Sequence, residues 1–252
     1  MAHGMPDRRD ECRQEWVEMK HASFFRDQDE EISGIVSRFL DESMSGSGDA
    51  LDARRAHLAV LASLIGCQGL DAFRAELAVA LDDGLRPEEA REVVCQSIAY
   101  LGVGRSAPFV TAMYDVFAEH GVKALESAGM LPDDERVGRG SSIQAEMFGD
   151  FMKDAWKAGT VNRWLAANCF GDCYTRGNLT LADREMATFC YLMAQGGCEP
   201  QLEAHIKGNM NMGNDTGVLR EVVLRCLPYL GYPRSLNAMA CIARVEAEGQ
   251  ES

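Results

Sequence analysis

Apolar residues recur at helical spacing along nearly the whole chain, and no segment sustains the period-two alternation of a half-buried strand. The pattern predicts an all-α fold. Trp16, Met19, Phe24 and Phe25, then Ile32, Ile35, Val36 and Phe39, place two helices within residues 8–44. A Ser/Gly break at 43–49 ends in Asp49, a residue type suited to capping the next helix. Helices are then predicted at 51–65 and 72–81 around a Gly66–Gly69 turn, at 86–102 behind a Pro-Glu-Glu start, and at 106–119 with Pro108 in the first turn. Residues 121–140 read as a polar linker, and 141–158 and 160–174 as helices. Four more follow at 181–194, 199–212, 218–230 and 235–248.

Displacing the chain by 129 residues superposes its halves without a gap. Arg55 falls on Arg184 and Gly84 on Gly213. The run Arg91-Glu92-Val93-Val94 falls on Arg220-Glu221-Val222-Val223, and Tyr100-Leu101-Gly102 on Tyr229-Leu230-Gly231. The period is too long for a solenoid and indicates a duplicated helical domain. The expected division is an N-terminal helical extension at 1–48, a first copy at 49–128, a linker with lead-in helices at 129–179, and a second copy at 180–252.

The second copy carries Glu185, Cys198 and His205 where the first has Ala56, Gly69 and Glu76. An acid, a thiol and an imidazole therefore gather in one copy, on two helices joined by a Gly-Gly turn. Facing His205 across an antiparallel helix pair, Glu185 could orient the imidazole or act as a base. Arg184 reads as half of a structural ion pair with Glu185, the more so because Arg55 stands at the same place in the first copy. Cys198 opens a helix, where a thiol gains reactivity, although Glu199 and Glu203 oppose that. Gln201 lies on the face between Cys198 and His205. Tyr100, Arg105, Tyr229 and Arg234 recur in both copies and read as structural, and Met210, Met212 and Met239 as pliable core.

Composition narrows the partners. A net charge of −14, spread along the chain, argues against nucleic acid or an anionic membrane as a partner. No apolar run approaches the roughly 20 residues of a membrane helix. The N-terminus lacks a signal-type apolar stretch, so a cytoplasmic location is expected. The nine cysteines form no CxxC pair and no finger-like spacing, so no metal is expected and most should be buried apolar residues. Cys169 and Cys173, four apart, would share a helix face.

The segment LTLADRE…GGCEPQLEAHIKGNMNMG…LREVVLRCLPYLGYPRSLNAM resembles the carboxymuconolactone decarboxylase family, as does GLRPEEAREVVCQSIAYLGVGRS in the first copy. The resemblance implies an AhpD-like helical fold in two tandem copies. It implies an enzyme acting by acid/base chemistry on a small carboxylate or lactone, with His205 and Glu185 as proton-transfer groups, Arg184 as the anchor of a substrate carboxylate, Gln201 beside them as a substrate-binding residue, and no cofactor. It also implies a homo-oligomer, trimer or dimer. The AhpD-like members that reduce hydroperoxides use a CxxC pair. Cys198 matches its first cysteine, but Gln201 stands at the second, so a thiol peroxidase centred on Cys198 is the alternative and would need an outside thiol. A non-catalytic helical assembly with a decayed site is a further alternative.

Overall fold

The computed structural model describes residues 29–46, 48 and 50–250. The segment 8–28 and the Asp49 cap lie outside them. Helix α1 spans Glu30–Gly46, α2 Ala53–Cys67, α3 Leu70–Asp82, α4 Pro87–Leu101 and α5 Val103–Glu119. After an extended linker come α6 (Arg136–Phe148) and α7 (Thr160–Trp164), which continues into a π-helical stretch at Leu165–Tyr174. The last four are α8 (Leu181–Gln195), α9 (Glu199–Asn211), α10 (Thr216–Leu230) and α11 (Tyr232–Gln250). The described residues contain no strand.

The differences from the expected elements have local causes. Asp52 caps α2, its carboxylate accepting from the Arg55 amide at 2.7 Å. The expected helix 141–158 begins earlier, at Arg136, and stops at Phe148. There Gly149 takes φ +109, a left-handed value that ends the helix, and two 3-10 turns follow at Asp150–Met152 and Ala155–Ala158. Helix α5 starts at Val103, so Pro108 falls beyond its first turn. Met210 is 44% exposed and is no part of the core.

Helices α3, α4 and α5 start at residues 70, 87 and 103, and α9, α10 and α11 at residues 199, 216 and 232, the same offset as the sequence repeat. Helix α1 stands at that offset from α7 and the π-helical stretch, so it occupies a lead-in position. Each lead-in helix packs on the other half of the chain: α1 on α10, and the π-helical stretch on α4. Helices α2 and α8 pack on each other between them, inside one apolar core that takes Leu58, Leu61 and Ile65 from α2 and Met186, Phe189 and Tyr191 from α8. The halves are thus interleaved. Helix α6 presses on the π-helical stretch at Gly140, where a Cβ would collide with the Ala166 carbonyl oxygen.

Polar contacts also cross the halves. Thr180 and Asp183 form the capping box that starts α8. The Asp183 carboxylate also accepts two hydrogen bonds from Arg54 of α2, at 2.9 and 3.3 Å, and Arg54 reaches Glu89 of α4 at 2.7 Å. Burial acts to raise the Asp183 carboxyl, but the hydrogen bonds and charge of Arg54 outweigh it and hold the group below the ordinary carboxylate range. A carboxyl depressed on folding contributes stability in full above its unfolded value of about 4, and loses it as pH falls through the folded value. Arg54→Gln should therefore lower the denaturant midpoint at pH 7, with the gap to the parent closing as the medium is acidified below pH 4. A gap that stays constant down to pH 2 would show that the Asp183 charge is not involved.

Candidate active site

The capping box fixes the register of α8 so that Arg184, Glu185 and Thr188 all face inward with no exposed surface. The Glu185 carboxylate accepts two hydrogen bonds. Oε2 takes one from His205 Nδ1 of α9 at 2.9 Å, and Oε1 takes one from the Tyr174 hydroxyl at 2.8 Å. The Tyr174 oxygen also lies 2.7 Å from the hydroxyls of Tyr100 and Thr188. Thr188 in turn accepts from Gln96 Nε2 at 2.9 Å. One direction of donation satisfies every group: Gln96 to Thr188, Thr188 and Tyr100 to Tyr174, Tyr174 to Glu185. Burial raises both tyrosine hydroxyls well above their ordinary range, the Glu185 charge adding to it, so both remain donors at neutral pH.

The imidazole of His205 packs against two aromatic rings. Its ring stands edge-on to Tyr100, centroids 5.6 Å apart, and to Phe148, 5.4 Å apart. With Nδ1–H given to Glu185, neutral His205 carries its lone pair on Nε2, which makes no hydrogen bond among the described residues and is not shut off from solvent. The side chain is 13% exposed and Glu185 is not exposed at all. The arrangement is a base where the buried cluster opens to solvent, oriented from behind by a buried carboxylate that Tyr174, itself bonded to Tyr100, holds in place.

The sequence-predicted residues divide. Glu185 and His205 meet. Arg184 does not serve as a carboxylate anchor: it is fully buried, Nη1 donates to Gln96, and Nη2 donates to Glu92 and to the carbonyls of Arg176 and Gly177. Nor does it pair with Glu185; its acid is Glu92, which Arg176 also grips at 2.8 Å through two nitrogens. Cys198 caps α9 from outside the helix, with φ −140, and no hydrogen bond joins it to Glu185 or His205. Its sulfur contacts the Leu192 carbonyl at 3.4 Å and the Gln195 amide at 3.6 Å. Burial pushes the thiol up and the Glu199 charge adds to it, the reverse of helix-start activation. Gln201 is exposed and makes no hydrogen bond to either member of the Glu185–His205 pair.

Other groups escaped sequence reasoning. Tyr100, which reads as structural because it sits in the copy without the acid, thiol and imidazole, crosses into the site of the second. Tyr174 lay in plain view in the FGDCYTRG lead-in, but nothing in its spacing pointed to Glu185. Cys169 sits beside Tyr100 and Glu185, and burial pushes its thiol up to about 12, with the Glu185 charge adding to it. The first copy is not empty either. His57 of α2 bonds Glu76 of α3 at 2.8 Å and Asp83 at 2.9 Å, a buried pair in which acid and imidazole have exchanged helices relative to Glu185 and His205. Carboxylates take both ring nitrogens of His57, which leaves no lone pair for chemistry.

Gly208, one turn beyond His205, makes room for the pair. A Cβ there would run into Glu185 Oε2 and come within 2.8 Å of Phe148 Cε1. Gly208→Ala should displace the carboxylate and cost about 1–3 kcal/mol of stability despite the better helix propensity of alanine. A variant as stable as the parent, with an unchanged His205 NMR signal, would contradict this.

Comparison with known proteins agrees with this architecture. Residues 160–244 match the family model for the carboxymuconolactone decarboxylase family. The chain is 26% identical over 121 residues to the 4-carboxymuconolactone decarboxylase of Acinetobacter baylyi, an alignment covering 43% of this chain and 85% of that one. A crystal structure from Burkholderia xenovorans, provisionally described as a gamma-carboxymuconolactone decarboxylase subunit, superposes with a TM-score of 0.52 at 19% identity. It covers 97% of this chain and 100% of its own, a likeness of fold that spans both halves. The all-helical chain is thus similar to the carboxymuconolactone decarboxylase family over residues 160–244, and shares its fold with the Burkholderia xenovorans protein along nearly its whole length.

Proposed function

We propose that the chain is a carboxymuconolactone decarboxylase-like enzyme, a carboxy-lyase acting on a small carboxylate or lactone, with His205 as its proton-transfer group. The observation that carries this reading is the hydrogen bond from His205 Nδ1 to a buried Glu185, which leaves Nε2 at the opening. When a carboxylate loses CO2, the electron pair of the broken C–C bond stays on the adjacent carbon and must be taken up by conjugation. Protonated His205 would then deliver its Nε2 proton to that carbon, replacing the lost carboxyl group. Glu185 would stabilise the imidazolium that precedes the transfer, and the Tyr174 and Tyr100 hydroxyls would keep Glu185 an acceptor. The relative from Acinetobacter baylyi supports the substrate class. A thiol peroxidase reading draws no support from Cys198, whose thiol is raised by burial and has Gln201 where a second cysteine would stand.

We also propose that the chain self-associates. Ile35 and Trp164, each 58% exposed, sit at equivalent positions of the two lead-in helices, as Val103 and Tyr232 do at the starts of α5 and α11. Exposed apolar residues that recur at equivalent positions of both halves fit an assembly of like subunits.

The reading is tested by CO2 release from 4-carboxymuconolactone and from a panel of related small lactone carboxylates. Turnover should fall by about 10²–10⁴-fold in His205→Ala and stay near the parent level in Cys198→Ser. Absence of CO2 release from every compound, or turnover that survives in His205→Ala, would defeat it.

A further inference from the structure

The junction between α4 of the first half and the lead-in of the second holds a pair of thiols that the chemistry above does not use. Cys95 of α4 and Cys173 of the π-helical stretch are hydrogen-bonded to each other, one sulfur from each half of the chain. Two polar contacts between the same segments bracket them. On one side Glu92 accepts from Arg176 Nε and Nη2, each at 2.8 Å, and on the other the Tyr100 and Tyr174 hydroxyls lie 2.7 Å apart. Cys173 also reaches the Asn168 carbonyl at 3.8 Å. Cys169 and Cys173 lie on one helix but turn to different partners, Cys169 to the Tyr100 hydroxyl and Cys173 to Cys95. At the repeat offset the corresponding junction is that of α1 with α10, where Leu224 stands for Cys95 and Met44 for Cys173. The helices pack there as well, the Ser43 hydroxyl donating to the Leu224 carbonyl at 2.6 Å. Apolar side chains suffice at that joint, so packing alone does not call for two thiols at the other.

We propose that Cys95 and Cys173 are a redox-modification site, at which a hydroperoxide closes a reversible disulfide between the two halves of the chain. Thiols already in contact join by rotation of their side chains, whereas sulfurs on elements that do not touch would need the backbone to move. Their surroundings assign the roles. Cys95 is half-buried and Cys173 buried, so an oxidant reaches Cys95 first. The hydrogen bond from Cys173 draws the Cys95 thiol down to about 7 against the effect of burial, and the Arg176 and Arg184 charges add to it. Cys67, Cys169 and Cys198 are instead pushed up by burial. The Cys95 thiolate attacks hydrogen peroxide: an S–O bond forms, the O–O bond breaks, and the departing hydroxide recovers through solvent the proton that Cys95 gave up. Cys173, kept protonated by its hydrogen bond to Cys95 and by burial, then attacks the sulfenic sulfur of Cys95. The S–S bond forms, the S–O bond breaks, and the Cys173 proton leaves with the hydroxide as water. Two thiols and one peroxide thus give one disulfide and two waters. A small dithiol reverses the step by exchange, ending as its own cyclic disulfide and returning both protons to the cysteines. The inference stands independently of the decarboxylase reading, since neither sulfur takes part in the proton transfer assigned to His205.

The experiment is non-reducing peptide mass spectrometry of the full chain after one equivalent of hydrogen peroxide. The expected result is a linked peptide pair joining Cys95 to Cys173, with two titratable thiols lost per chain and both recovered on adding dithiothreitol. In Cys173→Ser the sulfenic acid on Cys95 has no partner, so dimedone should label Cys95. In Cys95→Ser neither the linked pair nor a dimedone label on Cys173 should form. Cys173→Ala serves the same purpose if Cys173→Ser does not fold. The oxidised parent should also unfold at a higher denaturant concentration than the reduced one, because the bond closes a long loop of the unfolded chain, and Cys95→Ser should show no such gap. A bond from Cys173 to Cys169 instead, or dimedone on Cys173 in place of Cys95, would overturn the proposal. So would a Cys95 that passes on to sulfinic acid while Cys173 stays free, or a linked chain whose unfolding midpoint has not moved. A dimer joined through Cys95 on a non-reducing gel would overturn it as well, by assigning that thiol to a bond between chains.

Discussion

A carboxylate with no exposed surface is tolerable only when its hydrogen-bonding capacity is met, and Glu185 is such a group. Much of the surrounding structure answers that demand. Tyr174 supplies one donor and His205 the other. To bring Tyr174 there, the lead-in helix widens into a π-helical stretch, a departure that recurs at functional sites. To support Tyr174 in turn, α4 of the first half contributes Tyr100 and Gln96. The interleaving of the two halves is thus more than a packing solution: the second half cannot complete its own site without side chains from the first.

The buried cations belong to the same scheme but do different work. Arg184 is adjacent to Glu185 in sequence, which invites a joint role, yet consecutive helical residues project about 100° apart and face different neighbours. Arg184 turns to Glu92 and to the backbone of the segment that follows the π-helical stretch, tying the lead-in of one half to α4 of the other. Its presence in both copies, as Arg55 and Arg184, fits a structural task. Cys198 likewise drew notice because of where helices begin. The structure turns its sulfur back onto the end of α8, where burial keeps it a thiol.

How much was legible in the sequence follows from the range of the interactions involved. Helical periodicity and glycine punctuation are local, so the order of the elements from α2 onward could be read directly, with errors where a cap such as Asp52 or a breaker such as Gly149 decided the boundary. The offset of 129 residues was equally visible. The meeting of Glu185 and His205 could be anticipated because they lie on two helices joined by a tight turn. Tyr100 could not, because its approach depends on an exchange of partners between halves that leaves no periodic trace. The comparison of copies misled in one respect. It registered that His205 had become Glu76, but missed His57, one position beyond the counterpart of Glu185, which re-forms an acid–imidazole pair with the helices exchanged. One copy keeps a histidine with a free nitrogen, and the other has both nitrogens occupied.

The central claim is that Glu185 fixes the tautomer of His205 and so aims Nε2 at the opening. ¹⁵N NMR of the labelled histidine ring reports this directly, with the His205 signal assigned by its absence in His205→Ala. In the neutral form the account predicts a protonated Nδ1 and an unprotonated Nε2 shift, and loss of that preference in Glu185→Gln. A ring protonated on Nε2, or a tautomer that ignores the Glu185→Gln change, would contradict it.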